Sequence, residues 1–185
     1  MNPALARPRA TDSALLVVDL QEKLMPAIHE GAGVLNQSRK LIHVARLLKL
    51  PVLVTEQYPK GIGPTVPEIR AALGDAPTVE KMTFSGCGAE PFWAQWNSFA
   101  RRNAIVCGVE AHVCVQQTVL DFLERGQSVF VLADAVGSRR PLDYDLALQR
   151  MHDAGAIVTT AESVIFELLG RAGTPEFKEV LKLVK

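Results

Sequence analysis

The feature that most constrains this chain is the rhythm of its apolar runs. Short, β-branched stretches recur as "ALLVVDL" at 14–20, "PVLVT" at 51–55, "AIVCGV" at 104–109, "SVFVLAD" at 128–134 and "AIVTT" at 156–160. A weaker one, "PTVEKM", covers 77–82. Most lack polar alternation, as expected of strands covered on both faces of a parallel sheet. Helical spacing fills the gaps between them. Leu41, Ala45 and Leu48 fall on one face, as do Val115, Val119 and Phe122, with Gly126 as a stop. A third helix runs from Pro141 toward Gly155, and Thr174–Pro175 opens a last one. Strand and helix alternating about six times specify an open α/β sheet with right-handed crossovers. No linker or composition break divides the 185 residues, so one domain is expected over 1–185, with 1–12 a loose N-terminal segment. The Pro- and Gly-rich stretch at 56–68 reads as a loop over the sheet edge.

Composition narrows the partners. Twenty basic residues balance twenty acidic ones, which gives no reason to expect nucleic acid or an anionic membrane. No apolar run reaches membrane-span length, and the N-terminus lacks a signal-like apolar segment. Three cysteines, an odd number, fit free thiols in a cytoplasmic protein rather than a disulfide framework. His29, His43, His112 and His152 show no metal spacing, so neither metal nor cofactor is expected.

In open α/β sheets ligands bind beyond the carboxyl ends of the strands, where strand order reverses. The polar residues at those ends are therefore the candidates. They are Asp19 and Gln21 after the first run; Glu56, Gln57 and Tyr58 after the second; and Lys81, then Phe84, after the third. Glu110, His112 and Cys114 follow the fourth; Asp134, Ser138, Arg139 and Arg140 follow the fifth. The first turn reads "VVDLQEKL", not the glycine-rich turn of a dinucleotide site, and no Walker A sequence occurs.

An Asp, a Lys and a Cys at three strand ends suit thiol-based acyl transfer. A helix start and a nearby ammonium are expected to lower a thiol from ~8.5 into the range ~3.5–7.5. Asp19 would then take the thiol proton and return it to a leaving amine, and Lys81 would hold Asp19 ionised. Each residue also has a plainer reading. Cys107, and Cys114 by default, are packing residues; Cys87 is an exposed loop thiol; Lys81 is a solvated strand end. Asp19 and Asp134 are turn or loop anchors, His112 a polar helix start, and Arg139 and Arg140 a solvated pair that could hold a substrate carboxylate.

These residues, together, resemble the isochorismatase-like cysteine hydrolase family. The likeness is carried by "LLVVDLQEKL", "VEKMTFS", "VCGVEAHVCVQQT" and "VFVLADAVGSR", in order from about residue 13 to 185. "VARLLKLPVLVTEQYPKGIGPTVPEI" and "TPEFKEVLKLVK" are similar to its isochorismatase-domain-containing subgroup. The resemblance implies a three-layer α/β/α Rossmann-like fold around a six-stranded parallel sheet of order 3-2-1-4-5-6. It implies an Asp19–Lys81–Cys114 triad and a cis peptide at Val109–Glu110, turning the Glu110 N–H toward the Cys114 N–H as an oxyanion hole. It also implies a homo-oligomer.

Departures from the family pattern narrow the substrate. Residues 56–68 contain neither Asp nor His, unlike nicotinamidase-type members with a metal-binding Asp and two histidines there. Isochorismate-cleaving members often carry glycine at the nucleophile position, so Cys114 favours a small C–N amide or related acyl substrate. Gln21, Glu56, Tyr58, Phe84 and Glu110 are the candidate pocket walls, and the two glutamates favour a donor-rich or cationic substrate. Two other classes stay open: a binding protein that keeps the fold without turnover, and a thiol-reactive redox protein using Cys114 or Cys87.

Overall fold

The apolar runs become β1 (Ser13–Val18), β2 (Val52–Gln57), β3 (Thr78–Lys81), β4 (Asn103–Val109), β5 (Ser128–Gly137) and β6 (Ile157–Thr159) in the computed structural model, which describes residues 5–184. All pairings are parallel and the order is β3-β2-β1-β4-β5-β6, the expected one. Alternation along each strand splits the core into two layers. Leu15 and Val17 of β1, with Ile105, Cys107 and Val109 of β4, face α1 (Gly31–Leu47), α3 (Pro67–Leu73), α7 (Ala161–Leu169) and α8 (Pro175–Val184). Ala14, Leu16 and Val18, with Ala104 and Val106, face α4 (Glu90–Ser98), α5 (Gln116–Glu124) and α6 (Pro141–Asp153). Cys107 is wholly buried in the first layer and packs as a small apolar side chain.

Several elements differ from the sequence expectation. The stretch at 56–68 is not a plain loop: β2 runs to Gln57, α2 (Pro59–Ile62) makes one turn, and α3 begins at Pro67. Both prolines stand at the first helical position, where a missing N–H costs nothing. Helices α4 and α7 were also unexpected. The first buries only Phe92 and Trp96, and the second starts at Ala161, one residue after the Thr160 cap that ends the β6 run. Of the N-terminal segment, Pro8 is buried and Ala6 and Ala10 pack against the first core layer, while residues 1–4 lie outside the described residues.

Order reverses between β1 and β4, the switch point of the sheet. The two strands approach there very closely. Gly108, opposite Val18, has φ +124°, and a Cβ on it would meet the Val18 carbonyl oxygen at 2.0 Å. Only glycine fits. This approach brings the turn after β4 beside the turn after β1. On the far side, Phe122 of α5 packs its ring 4.7 Å from Trp96 and 5.8 Å from Phe92, seating the helix that follows the β4 turn.

Candidate active site

Asp19 follows β1 with φ 50°, a left-handed conformation that Asp tolerates better than most residues. Its carboxylate is wholly buried. Oδ1 accepts from Thr55 Oγ1 at 2.7 Å and Oδ2 accepts from Lys81 Nζ at 2.7 Å. Lys81, expected by default to be solvated, ends β3 with no side-chain exposure, so the two charges form a buried ion pair. Burying either charge alone would cost several kcal/mol, which is why the pair is also hydrogen-bonded on its remaining positions. Lys81 Nζ donates further to Gln57 Oε1 at 2.8 Å and to the Phe84 carbonyl at 3.0 Å.

Cys114 lies in a π-helical turn, Ala111–Val115, that leads into α5. The residue is 6% exposed, and Sγ sits 4.0 Å from Gln57 Oε1. Thr118, one turn on, donates from Oγ1 to the Cys114 carbonyl at 2.6 Å and accepts from the Gly86 N–H at 2.9 Å. The expectation of a lowered thiol pKa is corrected here. Burial first, then the negative charge of Asp19, pushes the Cys114 thiol up to about 12, and Lys81 offsets this only partly. The ammonium is already neutralised by Asp19, so the sulfur faces an ion pair rather than a free cation.

The Val109–Glu110 peptide bond is cis. Among the described residues the Glu110 N–H donates to no other group, while the Glu110 carbonyl accepts from the Val113 and Val115 N–H groups at 3.0 and 3.2 Å. The Glu110 carboxylate turns the other way, to Arg139 Nε at 2.9 Å.

Other expected wall residues are differently employed. Gln21 is wholly buried, its Nε2 donating to the Gln57 and Gly63 carbonyls and its Oε1 accepting from the Gln57 N–H. It clamps the chain after β2 rather than facing a ligand. Glu56 points to the opposite face of β2 from Thr55 and Gln57, as strand alternation requires. Its Oε1 holds the Thr65 N–H and hydroxyl, each at 2.7 Å, and Arg70 at 2.8 Å. With Glu56 and Glu110 both paired, the inference of a cationic substrate loses its basis. Tyr58 and Phe84 remain at the rim, 46% and 55% exposed.

Cys87 is not an exposed thiol: it is half-buried against the second core layer, and burial pushes it up to about 12. Asp134 anchors the start of α7 through the Ala161 N–H at 2.7 Å. His112 Nδ1 lies 3.0 Å from Ser138 Oγ, and Arg140 pairs with Asp143 at 2.6 Å. Among the described residues no three His, Cys, Asp or Glu side chains converge as a metal-ligand set.

Residues 13–163 match the family described as the Isochorismatase domain. The chain belongs to the isochorismatase family. Isochorismatase domain-containing protein 2 of Bos taurus is 42% identical over 186 residues, covering 99% of this chain and 88% of that protein. The structure of MAR1 ribonuclease from Caenorhabditis elegans superposes with TM-score 0.91 at 46% identity, covering 97% and 92% of the two chains. YcaC from Pseudomonas aeruginosa, solved with hexane-2,5-diol and covalent acrylamide, has TM-score 0.91 at 30% identity over 97% of this chain and 92% of that one. YcaC from Escherichia coli, described as an octameric hydrolase of unknown specificity, has TM-score 0.91 at 28% identity, covering 96% and 90%.

On this isochorismatase-family hydrolase fold, Thr55 and Thr118 escaped the sequence reading, and Gln57 was named only as a strand-end residue. Gln57 and Thr55 stand two apart on β2, so alternation alone puts both on the face of Asp19 and Lys81. Thr118 stands four residues after Cys114, the helical spacing that reaches a carbonyl. Two clefts open nearby. One of about 370 Å³ lies beside Glu110 and is lined by Lys23, Leu24, Ala27, Ile28 and Arg139. The larger, about 550 Å³, runs along the carboxyl half of β5 and includes Glu30, Asp134, Tyr144 and Asp145.

Proposed function

We propose that this family member is a cysteine-dependent hydrolase of a small amide-like or related acyl substrate. The observation that carries the reading is a thiol beside a fully buried Asp19–Lys81 ion pair at the switch point of the sheet. The Pseudomonas aeruginosa YcaC relative was solved with covalent acrylamide, which supports reactivity toward small electrophiles in this fold.

In this mechanism Cys114 Sγ attacks the carbonyl carbon while its proton passes to Asp19. Each carboxylate oxygen of Asp19 keeps a lone pair beyond its bonds to Thr55 and Lys81. The carbonyl oxygen becomes an oxyanion received by the Glu110 and Cys114 N–H groups, each such donor worth roughly 3–4 kcal/mol of barrier. Asp19 returns the proton to the leaving nitrogen, the C–N bond breaks, and a thioester remains. Water then attacks the thioester and gives a proton to Asp19, the C–S bond breaks, and Asp19 passes that proton to the departing sulfur as the acid is released. Lys81 donates to Asp19 Oδ2 throughout and holds that carboxyl group in place. With the thiol held near 12, deprotonation is coupled to attack rather than completed beforehand.

The octameric state described for Escherichia coli YcaC supports a homo-oligomer here, to be read by light scattering in solution. The three free thiols fit a cytoplasmic setting. No cofactor enters the scheme.

The test is amine release from a panel of small amides, ureides and carbamoyl compounds, with an RNA oligonucleotide alongside because one relative is called a ribonuclease. Wild type should turn over a C–N substrate, and Cys114→Ala should lose at least about 10³-fold. Full activity in Cys114→Ala, or RNA cleavage without any amide turnover, would contradict the proposal.

A further inference from the structure

Gln57 is a buried polar side chain that touches this site and that the proposed chemistry leaves unused. Its Nε2 donates to the Met82 carbonyl at 3.0 Å and its Oε1 accepts from Lys81 Nζ at 2.8 Å. Those partners fix the amide orientation, since a carbonyl only accepts and an ammonium only donates. The same Oε1 faces Cys114 Sγ at 4.0 Å. One oxygen therefore serves both groups.

An ammonium has three N–H donors. The three closest acceptors of Lys81 are Asp19 Oδ2 at 2.7 Å, Gln57 Oε1 at 2.8 Å and the Phe84 carbonyl at 3.0 Å. With these engaged, the Lys81 N–H groups are held by oxygen acceptors, and Lys81 lowers the thiol first as a nearby charge and less by hydrogen bonding. The negative end of the Gln57 carbonyl can accept from a neutral S–H but repels a thiolate. The charged groups acting on that sulfur are Asp19 from the β1 end and Lys81 from the β3 end. Gln57 reaches it from β2, between them.

We propose that Gln57 is a positioning residue that keeps Lys81 turned toward Asp19 and keeps Cys114 protonated until substrate arrives. The inference rests on Cys114, Asp19 and Lys81 acting together as proposed above. It gives two substitutions opposite effects. Gln57→Glu keeps the shape and the bond to Lys81 but places a negative charge near the sulfur, so the thiol becomes harder to ionise. Gln57→Met keeps the volume, removes the acceptor and frees one Lys81 N–H for the sulfur, so the thiol becomes easier to ionise. The backbone clamp between Gln57 and Gln21 survives both changes.

The experiment is iodoacetamide labelling of the full chain from pH 6 to 11, with Cys114 followed by peptide mass. At pH 8.5, labelling should slow about tenfold or more in Gln57→Glu and quicken several-fold in Gln57→Met. Equal rates, or shifts in the same direction, would overturn the role. If Gln57→Met fails to fold by circular dichroism, the Gln57→Glu arm decides alone, and an unchanged rate overturns it. Asp19→Asn separates the two claims. Labelling that quickens in Asp19→Asn but ignores both Gln57 variants sinks only the Gln57 role; labelling indifferent to Asp19→Asn sinks the triad itself.

Discussion

The carboxyl edge of this sheet holds polar residues in two contrasting ways. Around β1 to β4, Asp19, Gln57 and Lys81 are buried and bonded to one another, with the Cys114 thiol against them. Along the carboxyl half of β5 a cleft of about 550 Å³ is lined by Glu30 and Asp145, both exposed, and by Asp134, which is occupied with the Ala161 N–H. The roomier region is the less constrained one. A buried charge must be paired or pay heavily, so each residue of the first region fixes the next. Volume alone fixes nothing.

The contrast breaks most visibly at Lys81. Lys81→Met leaves the Asp19 carboxylate buried without its cation, and urea denaturation should show a loss of about 3–5 kcal/mol. A loss below about 1 kcal/mol would mean that the ion pair does not organise this region. Thr118→Val is the next largest change, because it strands the Gly86 N–H and removes the bond to the Cys114 carbonyl. A loss of about 1–3 kcal/mol is expected, with slower labelling of Cys114, and an unchanged protein would detach α5 from the site.

The thiols supply a pH test. Cys87, Cys107 and Cys114 are each pushed up to about 12 from an ordinary value of 9.0, chiefly by burial. A raised acid favours the protonated folded form, so its contribution is whole below about pH 9 and is lost as pH rises toward 12. Melting temperature should fall progressively above pH 9, and Cys107→Val should flatten that fall. A flat profile in wild type from pH 8 to 10.5 would contradict the burial argument. Smallest of all, Glu30→Gln and Asp145→Asn in the β5 cleft should change stability by no more than about 0.5 kcal/mol and leave Cys114 labelling untouched. A large effect there would make the cleft part of the site after all.

The same contrast explains what the sequence could disclose. Strands buried on both faces announce themselves as unbroken apolar runs, and Asp19, the first polar residue past β1, was visible for that reason, whereas Lys81 ends the weaker β3 run, whose alternate residues are exposed. Gln57 was harder, since a fully buried strand has no polar alternation to say which neighbour faces the site. Glu56 drew attention by its charge while pointing to the other face. The thiol misled in a different way. A helix start and a lysine suggest a lowered pKa, but burial and the neutralising Asp19 are three-dimensional facts and reverse the sign. Helix α4 was missed because it buries only Phe92 and Trp96, and α7 because only the one residue Thr160 separates it from β6.

The central claim is a covalent acyl-enzyme on Cys114. Acid quench within the first turnovers of any amide the protein hydrolyses, followed by intact and peptide mass, reads it directly. The account predicts the acyl mass on the Cys114 peptide, formed at least as fast as the amine is released, and absent in Cys114→Ala. Amine release with no acyl mass on Cys114 at any quench time, or acyl mass on the Cys87 peptide instead, would contradict it.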